Sequence, residues 1–176
     1  MNRRAQSGSA MRVHSVVAKG IHWGFTLFVI YAFTKQLDEV DELEDLSLLE
    51  SEIIFASVFL VLLVARFVYM QRTTPTILPA DTPIVKWRLA RSVHLGMYAG
   101  LAMIAVSGLW IGGLYWGGTK SGGQMDFALL LHEIGVNSTY LLVLAHVGAA
   151  LFHRRQRDGI WNSMVPFWRE PEISEQ

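Results

Sequence analysis

Four apolar stretches, each near twenty residues long, limit what this chain can fold into. They cover about 16–34, 53–70, 92–116 and 127–152. A hydrocarbon layer about 30 Å thick takes about 20 helical residues to cross, and it offers no water to unpaired backbone groups. Stretches of this length predict an all-α integral membrane protein, an up-down four-helix bundle. A mean hydropathy of +0.32 with only 17% charged residues agrees, being too apolar for an ordinary soluble domain.

The polar segments sort by charge. Between the first two stretches lie Asp38, Glu39, Asp41, Glu42, Glu44, Asp45, Glu50 and Glu52, against Lys35 alone. Between the second and third lie Arg72, Lys86, Arg88 and Arg91, with prolines at 75, 79 and 83. The last stretch runs into Arg154-Arg155-Gln156-Arg157. Putting the N-tail, the middle loop and the C-tail on one side gives that side thirteen Lys and Arg and leaves two opposite. The positive-inside rule then expects both termini in the cytoplasm, as an even number of spans requires. Residues 1–15 read as a polar basic N-tail with Arg3, Arg4 and Arg12 and without the apolar core of a secretory leader. Residues 16–153 form the membrane domain and 154–176 a cytoplasmic C-tail. Trp87, Trp110, Trp116, Trp161 and Trp168 fall near helix ends or in the tail, where aromatic belts belong.

A zero formal net charge gives no reason to expect nucleic acid. The chain has no cysteine. That excludes disulfides, iron–sulfur clusters, cysteine zinc sites and covalent haem attachment.

The fourth stretch carries His132 and His146, fourteen residues apart. On a helix they rise about 21 Å and return to within roughly 40° of one face. Thr139 lies midway, with Gly135, Ala145 and Ala149 nearby. Small residues let a flat, bulky group lie against the backbone, so the spacing suits two haems stacked across a membrane. An ionisable residue in a membrane helix is costly and is by default a functional candidate.

A six-coordinate b haem takes two neutral imidazoles from opposite sides. His22 and His146 share a depth on different helices, and His94 is a third candidate there, as a ligand or as a propionate contact. His153 abuts Arg154 and Arg155 and reads as an interface residue, and His14 lies in the tail. His132 has no histidine facing it at its own depth. The start of the second helix offers Glu50 and Glu52 instead, so His132 either helps hold an outer haem or hydrogen-bonds a neighbour such as Glu52. Arg66, the single charge of the second stretch, either pairs a haem propionate or snorkels to the headgroups. A weaker third reading makes His132 and Glu52 a proton relay, which predicts no Soret absorbance.

His22-Trp23, Arg66, His94-Leu95 with Tyr98, His132-Glu133, and His146 followed by Ala149-Ala150 together resemble the bacterial cytochrome b561 family. The resemblance runs from about residue 15 to 166. It implies a di-haem membrane protein that passes electrons between the outer face and the quinone pool, in the bacterial inner membrane. It also implies His22 and His146 on the inner haem. The outer haem would take His132 and a histidine fourteen residues before Arg66, and that position holds Glu52. The alternative is a haem-bearing or accessory subunit of a larger respiratory or photosynthetic membrane complex, with one haem or none. Lipid and quinone are the expected partners, and the acidic outer loop would suit a cationic redox protein while repelling superoxide.

Overall fold

The computed structural model describes residues 15–35, 37, 39–73 and 83–170. Arg3, Arg4, Arg12, His14, Asp38, Pro75 and Pro79, named above, lie outside them. Four long helices follow in order: α1 (Val16–Thr34), α2 (Leu46–Thr73), α3 (Ile84–Trp116) and α4 (Gly123–Gln156). Each is long and apolar enough to cross a membrane. A single-turn α5 (Ile160–Met164) comes last, and the described residues contain no strand. The four-helix membrane architecture is therefore the one expected.

The helices overrun the apolar stretches that announce them. Glu50 and Glu52 belong to the first turns of α2, Arg72 to its last turn, and Lys86, Arg88 and Arg91 to α3. Helical hydrogen bonding does not stop where the hydrocarbon does, and Glu, Lys and Arg are good helix formers. Chain punctuation sets the ends instead. Ser15 Oγ accepts from the Ala18 amide at 3.1 Å to cap α1. Pro83 precedes α3, where its missing N–H costs nothing. Gly122 enters α4 at φ 103°, a conformation other residues rarely adopt.

The bundle is uneven. α3 packs most extensively on α4 and next on α2, whereas α1 touches α2 sparsely. Without a hydrophobic drive between helices in lipid, close approach at small residues does the work. Gly100 receives the Thr139 side chain, and Gly135 faces Ile104, whose amide nitrogen lies 3.3 Å from where a Cβ would stand. This corrects the reading of Gly135 and Thr139 as bed for a flat group, because that face of α4 is taken by α3. Phe25 and Phe28 from α1 meet Phe55 and Phe59 from α2 at ring separations of 5.1–5.7 Å, which holds α1 in place. A ring stack of Phe33 on Tyr140, 4.6 Å apart, reaches from α1 to α4.

At the end away from the chain termini, Leu43, Leu49, Ile111, Tyr115, Met125 and Ala128 form a buried cluster. A Cβ at Gly112 would lie 2.7 Å from Ile53 Cγ1 there. Gly112→Ala is expected to destabilise the bundle by about 1–3 kcal/mol through overpacking. A melting temperature in detergent equal to that of the parent chain would contradict this packing.

The acidic connection, though exposed, is tied to the same end. Tyr115 donates its hydroxyl proton to Asp41 at 3.2 Å, and Lys120 donates to Glu44 at 2.8 Å. That hydrogen bond and its charge hold the exposed Glu44 carboxyl below the usual carboxylate range and the Lys120 ammonium above the usual lysine range.

Candidate haem site

Three imidazoles converge at the end that carries both chain termini. His22 projects from the second turn of α1, His94 from the third turn of α3, and His146 from the last third of α4. The His22 and His146 ring centroids lie 6.4 Å apart with planes at 61°. Those of His94 and His146 lie 5.0 Å apart at 79°.

Two of the rings are oriented by named neighbours. Arg66 Nη2 lies 2.8 Å from His22 Nδ1. A guanidinium only donates, so Nδ1 accepts and the His22 proton sits on Nε2. His94 Nδ1 lies 2.7 Å from the Ala90 carbonyl, which only accepts, so His94 carries its proton on Nδ1 and presents a lone pair at Nε2. Arg66 is also held between aromatic faces, 5.0 Å from the Phe25 centroid and 5.3 Å from that of Tyr98. Its Nε is buried and has no hydrogen-bond partner among the described residues. A buried cation with an unmet donor is suited to an anionic group such as a propionate. Snorkelling is not what Arg66 does here, since its head is turned inward onto His22.

α1 and α4 meet only sparsely, and Ala145 and Ala149 on α4 are exposed. Two neighbouring imidazoles and a buried cation with an unmet donor suit a haem at this end.

Sequence reasoning missed a cap over this end. Residues 157–170 fold back onto α1 rather than trailing away as a tail. Lys19 Nζ donates to the Asn162 carbonyl at 2.9 Å, and Trp23 Nε1 to that of Met164 at 3.1 Å. Phe167 packs on Trp23 at 5.0 Å, and the Arg154 guanidinium lies 3.5 Å over the Trp168 ring. Trp161 is buried within the cap and donates to the Trp168 carbonyl at 3.1 Å, so it is no belt residue. The signal was present in an apolar Ile160-Trp161 pair and a Val165 inside a polar segment. His153 turns to Asp158, with Nδ1 2.5 Å from Oδ2.

His132 stands at the other end, and the structure does not bring it to the three rings. Its Nδ1 lies 3.1 Å from Ser107 Oγ on α3. Glu52 is half-buried, and the charge acting on it is that of Lys35.

A lipid-spanning four-helix bundle with facing imidazoles at one depth is the build of a membrane haem protein. The family description "prokaryotic cytochrome b561" matches residues 13–167, and the chain belongs to that family. It is accordingly a prokaryotic membrane b-type cytochrome that transfers electrons. Curated proteins and solved structures give no match.

Proposed function

We propose that His22 and His146 are the axial ligands of a haem b at the terminal end of the bundle, and that this end faces the cytoplasm. The spacing of the two rings carries the reading. Metal–imidazole bonds of about 2.0–2.1 Å, with each ring centroid about 1 Å behind its nitrogen, require centroids about 6 Å apart. The observed 6.4 Å meets that requirement, and the 5.0 Å between His94 and His146 falls short of it.

The bound haem supplies one-electron cycling between ferrous and ferric iron. The chain's own residues prepare for it. A His22 that held the iron through Nε2 would carry its proton on Nδ1 and would not accept from Arg66. Arg66, with its unmet donor at Nε, would then be the residue to hold a propionate. His94, already presenting Nε2, stands beside His146 as a polar contact at the haem edge rather than as a ligand. The cap over Trp23 and Lys19 excludes water from the same end. Quinone is the small-molecule partner we infer, and the thirteen-to-two division of Lys and Arg supports the cytoplasmic placement.

The ferric form of the purified chain is expected to give the optical and paramagnetic resonance signature of low-spin, bis-imidazole iron. A high-spin, five-coordinate signature would overturn the ligand pair.

A further inference from the structure

We infer that the far half of the bundle holds no haem: where the family pattern puts a second one, this chain has filled the place with its own side chains. The inference rests on the reading of His22 and His146 as ligands of the single haem that remains.

The ligand argument comes first. The chain has six histidines. His22, His94 and His146 gather at the terminal end, His153 is turned to Asp158, and His14 lies outside the described residues. Among the described residues no second imidazole is left to face His132. The residue fourteen before Arg66 is Glu52, a hard carboxylate that is poorly matched to low-spin iron. Met125 offers a thioether, but it is 2% exposed and packed in the cluster with Leu49 and Ala128.

Packing gives an independent reason. His132 sits as a satisfied core residue. Ser107, itself 2% exposed, donates its hydroxyl proton to the Met103 carbonyl at 2.6 Å and so accepts from His132 Nδ1. The His132 ring lies over Gly108, with Cε1 3.5 Å from where a Cβ would stand. Gly112 is filled by Ile53, and Gly135 by Ile104. The notches at Gly108, Gly112 and Gly135 take protein atoms, so none of the three is an open slot for a porphyrin.

A single haem near one face leaves the chain without a relay across the layer. Electrons therefore enter and leave at the terminal end, and any exchange at the far face falls to a redox group held by another protein.

Haem per chain, measured on the full-length protein in mild detergent together with an equilibrium redox titration, tests this. One haem and a single one-electron wave are expected. His132→Ala and His132→Gln should keep both unchanged, the glutamine variant guarding against a loss that is only misfolding. A ratio near two, or two waves of equal amplitude, overturns the inference. If one of two haems then disappears in His146→Ala, the reading of the terminal site survives that failure. A lone haem that persists in His146→Ala and is lost in both His132 variants overturns both claims, and a chain that carries no haem overturns the terminal-site reading on which this inference rests.

Discussion

His146→Ala is expected to remove haem from the protein almost entirely, whereas His153→Ala leaves it in place. The two residues lie seven apart on one helix, and a family of this kind invites confusion between them. Geometry separates them. His146 is the ring that both neighbours share, 6.4 Å from His22 and 5.0 Å from His94. Both of these ring contacts use it, so its loss leaves neither of them. His153 is already engaged, its Nδ1 2.5 Å from an Asp158 oxygen at the start of the cap. Its removal breaks a partly exposed hydrogen bond, a loss of about 1 kcal/mol. Soret absorbance per milligram of purified protein decides the matter, with a near-zero value for His146→Ala and a parental value for His153→Ala. Equal loss in the two variants would show the choice of ligand to be wrong.

Arg66→Gln should retain haem but lower its reduction potential. Arg66 is the one charged residue of α2 within the span, and it is aimed at His22. A cation near the iron opposes the extra positive charge of the ferric state, so its removal stabilises ferric iron and the potential falls. At an effective dielectric near 20, a unit charge several ångströms away is worth on the order of 1–2 kcal/mol, or roughly 40–90 mV for one electron. Arg66→Lys keeps the charge while losing the planar fork that lies against Phe25 and Tyr98, and so should shift the potential less. A potentiometric titration of the three proteins checks the order. A potential that stays put or rises in Arg66→Gln would mean that the guanidinium does not act on the haem.

Much of this was legible in the residues alone, for a definite reason. Lipid leaves a long apolar segment no choice but a helix, so four such segments dictated the bundle. Histidine is rare at depth, so His22, His94 and His146 declared themselves without any knowledge of neighbours. Contacts between distant segments were not legible. That Arg66 would turn to His22 depends on how α2 rotates against α1, and a helix's apolar circumference in lipid carries no period to set that rotation. The cap is opaque for a related reason: Lys19 and Asn162 are 143 residues apart, and two backbone carbonyls are what Lys19 and Trp23 bind. The small residues of α4 show the division most plainly. Gly135 and Ala149 read alike along the chain, yet Ile104 fills the notch at one while the other stays open. Covalent order decided which segments cross the membrane and which imidazoles share a depth. Only the packing of α3 against α4 decided which end keeps room for a cofactor, because close approach of two backbones excludes everything else from the space between them.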